Sequence, residues 1–233
     1  MSTMDSLEVQ DLFDQLSARY DLLNDLFSFG MHRLWKKKLL KVLRPSQGEK
    51  WLDLCCGTGD LTIALANLVV PNGKVVGIDS ARNTLLIAKK KVAKQPGLSI
   101  EWVNKDLFDE DLEFRNYDGV VMAYGLRNLI DPLSGLKLIR KFLKPEGRAG
   151  ILDFNPMFDD SFKAWFQKVY LRKFVIPVAS ALGFNEHFSY LEKSLRIFPD
   201  GKSQESLARD AGFQKASHFN IAGGQMGILL LKN

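Results

Sequence analysis

Cysteine and histidine are scarce in this sequence, which limits the chemistry it can support. Only two cysteines, Cys55 and Cys56, and three histidines occur among 233 residues. Neighbouring cysteines rarely form a disulfide because the bond is strained. A zinc site would also need a Cys/His cluster, which is missing. We therefore expect neither a disulfide nor a metal site, and we interpret both thiols as small side chains that fill a turn.

The sequence also lacks an unbroken apolar run of transmembrane length and the basic, apolar start of a secretory signal. Residues 1–15 are acidic and amphipathic instead. These absences predict an intracellular protein. Hydrophobic residues make up 46% of the chain and charged residues 25%, and this length and composition predict one α/β domain.

Acidic residues are absent from long stretches of the chain, although the net charge is only +5. Residues 32–50 carry seven Lys/Arg and one acid, and residues 82–94 carry five basic residues and no acid. Residues 163–173 place four basic residues among aromatic ones. Solvated helix faces explain most such runs; the alternatives are a nucleic-acid surface or an anionic membrane surface.

Strand and helix patterns alternate after an N-terminal helical stretch, which predicts a mostly parallel sheet covered by helices on both faces. We expect a single domain over residues 1–233. Its parts are N-terminal helices over 1–46, a cofactor-binding core over 47–154, a helical insertion over 155–200 and a C-terminal completion of the sheet over 201–233. Binding residues in such folds lie at the carboxyl ends of the strands.

The stretch LDLCCGTGD, residues 52–60, follows the first predicted strand and forms a glycine turn. A P-loop would require Gly-Lys-Ser/Thr, and a dinucleotide turn would require a third glycine; neither occurs. Asp53 repels phosphate and attracts an amino group, so the pattern favours a cationic ligand without phosphate. Asp79, at the next strand end, suits both hydroxyls of a ribose, and Asp106 suits the adenine amine beside the Leu107 backbone.

Three strand-end acids in order, together with the glycine turn, resemble class I S-adenosylmethionine-dependent methyltransferases, which have a Rossmann-like fold. An N-terminal helical lid and a helical insertion after strand 5 would complete that fold. The resemblance implies S-adenosylmethionine as co-substrate and no metal. The cofactor-binding residues it implies are Tyr20, Asp53, Gly57, Thr58, Gly59, Asp79, Ser80, Asp106, Leu107 and Ala123.

The segment YDLLNDLFSFGMHRLWKK, residues 20–37, resembles the signature of the ubiquinone/menaquinone C-methyltransferase family, Y-D-x-x-N-x-x-x-S-x-G-x-H-x-x-W. The matching residues are Tyr20, Asp21, Asn24, Ser28, Gly30, His32 and Trp35. The family usually ends its fifth strand with E-x-S, where this chain has Asp153-Phe154-Asn155. The sequence ILDF at residues 151–154, together with AYGLRN at residues 123–128, looks more like the branch from oxygenic phototrophs.

The resemblance to that branch implies C-methylation of 2-phytyl-1,4-naphthoquinol, the last step of phylloquinone biosynthesis. Arg127 and Asn128 would face the quinol ring, with Arg127 stabilising a developing quinolate; a salt bridge that caps the sheet is its alternative role. Asp153 is a candidate base or an orienting partner of Arg127. His32 is a candidate base or a residue that locks the N-terminal helices over the cofactor, and Tyr20 would form part of that lid.

The insertion predicts contact with a membrane, because its basic and aromatic residues suit an anionic surface. An ordinary core helix is the alternative. We expect a cytoplasmic protein on the surface of a thylakoid or plasma membrane, a homodimer as one option, and no nucleic-acid partner. The competing functions are the demethylmenaquinone or ubiquinone pathway, an RNA methyltransferase, and a non-catalytic protein that senses S-adenosylmethionine.

Overall fold

The computed structural model describes residues 30–110, 112–156 and 194–233, together with residues 25, 28 and 173. Most of the predicted insertion and most of the predicted lid, including Tyr20, lie outside these residues. The described helices are α1 (Met31–Leu43), α2 (Asp60–Val69), α3 (Arg82–Val92), α4 (Pro132–Phe142) and α5 (Gly201–Asp210). The strands are β1 (Lys50–Leu54), β2 (Lys74–Asp79), β3 (Ile100–Asn104), β4 (Tyr117–Ala123), β5 (Leu143–Phe154), β6 (Lys215–Ile221) and β7 (Met226–Lys232).

The seven strands form one sheet in the order β3-β2-β1-β4-β5-β7-β6. Strands β1 to β5 pair in parallel, whereas β7 pairs antiparallel with both β5 and β6. The order reverses between β1 and β4, on either side of the glycine turn. A crevice forms at such a reversal, because neighbouring connections leave to opposite faces of the sheet. The predicted mostly parallel, Rossmann-like fold is confirmed.

Each face of the sheet has its own apolar core, because successive strand residues point to opposite sides. In β1, Trp51 packs in the core under α1 and α2, whereas Leu52 and Leu54 pack in the core under α4 and α5. Helix α1 contributes Leu39, Leu40 and Leu43 to the first core. Asp53 alternates with Leu52 and therefore points into the layer of α1 and α2.

The carboxyl ends of β1 to β4 meet at one edge of the sheet, where the glycine turn, Asp79 and Asp106 lie. Among the described residues, no helix is long and apolar enough to cross a membrane. In the same ranges, no group of three or more His, Cys, Asp or Glu side chains could hold a metal ion.

Candidate active site

The glycine turn between β1 and α2 has a backbone that L side chains rarely adopt. Gly57 and Gly59 have φ values of 54° and 78°, and this left-handed region favours glycine. A Cβ on Gly59 would lie 2.5 Å from the Trp102 ring and 2.9 Å from the Ala88 Cβ. Gly59 is therefore required both for its conformation and for the close packing of the turn on its neighbours.

Asp79 joins the turn to the end of β2. Its Oδ2 accepts a hydrogen bond from the Gly57 backbone N–H at 2.7 Å, and its Oδ1 accepts one from the Ala81 N–H at 2.9 Å. Oδ1 also accepts a hydrogen bond from the Thr84 hydroxyl at 3.5 Å. The side chain is therefore fixed in orientation beside the adjoining cavity, which it lines.

A cavity of about 380 Å³ opens between the ends of β1, β2, β3 and β4. Its size lies within the range of small-molecule sites, roughly 300–1,000 Å³. Two acids, Asp79 and Asp106, line it together with apolar walls that include Leu107 and Leu129. The Asp106 carboxylate accepts a hydrogen bond from the Phe108 N–H at 2.9 Å, which fixes its direction.

Seven of the predicted site residues line this cavity. The other six that the structure describes do not line it. The residues that line it are Gly57, Asp79, Ser80, Asp106, Leu107, Ala123 and Asn128. The predicted residues outside its lining are His32, Asp53, Thr58, Gly59, Arg127 and Asp153.

Asp53 lies inside β1, with 1% of its surface exposed. Its Oδ2 accepts a hydrogen bond from the Thr62 hydroxyl at 2.6 Å. Burial raises the pKa of Asp53 to about 7, against the opposing effects of the Thr62 hydrogen bond and the Lys36 charge. Asp53 therefore links β1 to α2 beneath the turn, instead of lying at the cavity surface as its place in the sequence suggested.

Arg127 and Asp153 form a buried ion pair behind the cavity. Arg127 Nη1 lies 2.7 Å from Asp153 Oδ1 and also donates to the Tyr124 carbonyl at 2.9 Å. The Arg127 backbone N–H donates to Asp153 Oδ2 at 3.2 Å. Their side chains are only 7% and 3% exposed. The pair fixes the turn after β4, from which Asn128 reaches the cavity and donates to the Tyr124 carbonyl at 3.1 Å.

Asn155, the last residue of the unusual triplet, forms hydrogen bonds with β6 and with the turn that follows β6. Its Nδ2 donates to Asn220 Oδ1 at 2.8 Å and to the Gly224 carbonyl at 3.0 Å, and its backbone N–H donates to the Gln225 carbonyl. These contacts connect the end of β5 to the turn between β6 and β7. The triplet therefore supports two turns, the one after β4 and the one between β6 and β7. None of its three residues lines the cavity.

His32 and Lys36 connect α1 to surrounding elements. His32 is buried, and its Nε2 lies 2.8 Å from Asp25 Oδ1. Burial lowers the pKa of His32, although the hydrogen bond with Asp25 opposes this shift. Lys36 Nζ lies 3.6 Å from Asp60 Oδ2, and Lys91 Nζ from α3 lies 2.6 Å from Asp60 Oδ1. Asp60 therefore ties α1 and α3 to the start of α2, directly after the glycine turn.

Several lining residues were not predicted from the sequence, among them Cys55, Lys105 and Tyr124. Cys55 and Tyr124 follow β1 and β4, and they have φ values of 54° and 64°. Their positions directly after buried strands were a usable signal. Cys55 lines the cavity, so the interpretation of this thiol as turn filler was incomplete. Burial raises the pKa of both thiols well above the ordinary value, which keeps them neutral and poorly nucleophilic.

Solved structures share this fold along almost the whole chain. A SAM-dependent methyltransferase from Aquifex aeolicus matches with a TM-score of 0.63 and 17% identity, over 99% of both chains. Another from Thermotoga maritima matches with a TM-score of 0.66 and 16% identity, over 95% of this chain and 98% of that one. The fold is thus that of S-adenosylmethionine-dependent methyltransferases.

The sequence profile of the ubiE/COQ5 methyltransferase family matches residues 1–230, and the chain belongs to this family. A 2-phytyl-1,4-naphtoquinone methyltransferase from Nostoc punctiforme is 42% identical, over 96% of this chain and 97% of that one. The Synechococcus elongatus enzyme of the same name is 39% identical over the full length of both. A chloroplastic 2-phytyl-1,4-beta-naphthoquinone methyltransferase from Arabidopsis thaliana is 37% identical, over 97% of this chain and 87% of that one.

Proposed function

We propose that the protein methylates a ring carbon of reduced 2-phytyl-1,4-naphthoquinone, with S-adenosylmethionine as donor. The observation that carries this proposal is the identity of 37–42%, over nearly the whole chain, to bacterial and plant enzymes named for that quinone. The reaction would complete the ring substitution of phylloquinone. The membrane location and the homodimer expected from the sequence stay predictions.

The cavity fits the nucleoside part of S-adenosylmethionine. Asp79 is oriented by two backbone N–H groups and suits the ribose hydroxyls. Asp106 suits the adenine amine, and Leu107 and Leu129 offer apolar walls for the base. The bound co-substrate supplies an electrophilic methyl group on a sulfonium. Gly57 and Cys55, at the end of β1, lie where the methionine part would continue.

The acceptor must be the quinol, because its oxygen donates electron density into the ring, whereas the oxidised quinone is an electrophile. Transfer forms a carbon–carbon bond, breaks the carbon–sulfur bond and leaves its electron pair on sulfur. The ring carbon then loses a proton to restore aromaticity. The protein's task is to hold the ring carbon in line and to exclude water.

Asn128 and Tyr124 are the residues through which the chain orients the ring. Both line the cavity on the turn after β4, and Asn128 can offer hydrogen bonds to a quinol oxygen. Arg127 acts through that turn, since its guanidinium is bound to Asp153 and to the Tyr124 carbonyl. The Asp153 carboxylate offsets the Arg127 charge, so the part of the pair in the reaction is to hold this turn in place.

The test is incubation with labelled S-adenosylmethionine and three reduced acceptors: phytyl-naphthoquinol, polyprenyl-naphthoquinol and polyprenyl-benzoquinol. We expect incorporation into both naphthoquinols, with preference for the phytyl form, and none into the benzoquinol. Labelling of the benzoquinol alone would refute the proposal. Activity that requires added tRNA and disappears with ribonuclease would assign the protein to RNA methylation instead.

A further inference from the structure

Helix α1 carries an outward face of unusual composition. At about 100° per residue, Met31, Leu34, Lys37, Lys38 and Lys41 share the side of the helix opposite to the buried residues. That buried side consists of His32, Leu39, Leu40 and Leu43. Met31 is 41% exposed and Leu34 is 54% exposed, and the three lysines are exposed as well. The outward face of α1 therefore combines three cations with two large apolar side chains.

This composition differs from that of an ordinary solvated helix face. Contact with water explains the exposed lysines, but it is unfavourable for the exposed side chains of Leu34 and Met31. The sequence of α1, MHRLWKKKLLKVL, contains no acid. Surface helices commonly pair their lysines with acids three or four residues away. In α1 the three lysines repel one another, and an anionic partner would relieve that repulsion.

The first turns of α1 lie at the edge of the sheet that carries the cavity. Lys36 contacts Asp60, directly after the glycine turn. At the other end of the helix, the Leu43 carbonyl accepts a hydrogen bond from Arg148 Nε at 2.7 Å, at the beginning of the regular pairing between β4 and β5. Leu34 is therefore at the end of the helix that lies near the cavity.

Two further apolar side chains are exposed at that edge. Phe108 is 46% exposed and Ile130 is 72% exposed, and both line the cavity. Four of the seven large apolar side chains exposed in the described residues thus lie at the carboxyl edge: Met31, Leu34, Phe108 and Ile130. Exposed apolar side chains among cations on one helix face are typical of a helix that lies at a lipid surface.

We propose that the outward face of α1 docks on the surface of an anionic lipid bilayer. The lysines bind the lipid headgroups, while Leu34 and Met31 enter the boundary with the acyl chains. The lipid nature of the acceptor rests on the proposed function. A nucleic acid would use the lysines alone and leave the two apolar side chains without a role, so the bilayer accounts for more of the face.

The experiment is co-sedimentation of the full chain with vesicles of phosphatidylcholine, with and without phosphatidylglycerol. Replacing Lys37, Lys38 and Lys41 with Gln is expected to lower the partition coefficient on the anionic vesicles about 100-fold, which is about fivefold per lysine. Leu34→Gln is expected to lower it roughly tenfold by loss of apolar burial. High salt should weaken the contribution of the lysines to vesicle binding. It should leave the contribution of Leu34 unchanged.

The matched control replaces Lys89, Lys90 and Lys94, on and just after α3, with Gln. This variant has the same net charge as the α1 variant and should change binding only a few-fold. An equal loss in both triple variants would overturn the assignment to α1. Unchanged vesicle binding in the α1 variant, or loss of tRNA binding alone, would overturn the membrane proposal.

Enzyme assays separate this inference from the proposed function. The α1 triple variant should methylate a short-tailed naphthoquinol in detergent at the wild-type rate, and should lose activity on phytyl-naphthoquinol embedded in anionic vesicles. If the wild type methylates no quinol in detergent, the proposed function fails, and vesicle binding still tests the docking surface. If the variant is equally active in vesicles and in detergent, the docking surface fails while the function stands.

Discussion

Replacing Asp53 with Asn should stabilise the protein increasingly as the pH rises. The folded pKa of Asp53 is about 7, against an ordinary value of 3.8. An acid with a raised pKa binds its proton more tightly in the folded state, so stability falls as the pH rises from the unfolded pKa to the folded one. The side chain is fully buried, so little solvent screening reduces the effect.

The magnitude follows from the two pKa values. Each pH unit between the two pKa values lowers the wild type's free energy of unfolding by about 1.4 kcal/mol. The full loss, reached above pH 7, is about 4 kcal/mol, and about 2–3 kcal/mol of it falls between pH 5 and pH 8. The asparagine side chain cannot ionise, and its carbonyl can still accept a hydrogen bond from the Thr62 hydroxyl. Compared with the wild type, Asp53→Asn should therefore gain about 2–3 kcal/mol of unfolding free energy over that range.

The assay is urea unfolding of both proteins at closely spaced pH values, with extrapolation to water. Thr62→Ser keeps the hydroxyl donor and should reproduce the pH profile of the wild type, which makes it the control. A difference between Asp53→Asn and the wild type that stays constant from pH 5 to pH 8 would show that Asp53 ionises normally. That result would refute the buried position of its carboxylate beneath the turn.

Two further changes test the supports behind the cavity. Asp153→Asn leaves the buried Arg127 charge without its partner and should cost about 3 kcal/mol of stability; a double-mutant cycle with Arg127→Met in urea should show strong coupling, and additive effects would contradict the ion pair. Lys36→Met removes the contact of α1 with the start of α2, worth about 1 kcal/mol. It should lower the free energy of unfolding in urea by that amount, whereas Lys37→Met on the exposed face should leave it nearly unchanged; equal losses in the two variants would contradict the role of the Lys36–Asp60 contact.

The order of strands and helices was predictable because each apolar run ends at a glycine or an acid. The structure confirms the glycine turn before α2 and the strand-end position of Asp79 and Asp106. The pattern could also have located Asp53 correctly, since Leu54 follows it within β1. A residue flanked by two buried leucines lies inside the strand, and an acid there needs a partner from another element of the fold because water cannot reach it.

Long-range pairing was beyond the sequence pattern. Nothing local indicates that β7 enters the sheet between β5 and β6, because hairpin strands usually extend a sheet in chain order. The pair of Arg127 and Asp153 was one of the alternatives that the sequence raised, but 26 positions separate the two residues. Only the parallel pairing of β4 with β5, with Ala123 beside Leu152, brings them together.

The end of β5 is best understood as a support for two loops rather than as a contact surface for the substrate. Asp153 holds the turn after β4 through Arg127, and Asn155 holds the turn between β6 and β7 through the carbonyls of Gly224 and Gln225. Neither side chain lines the cavity, so this triplet touches the site only through Asp153, which holds the turn that carries Asn128.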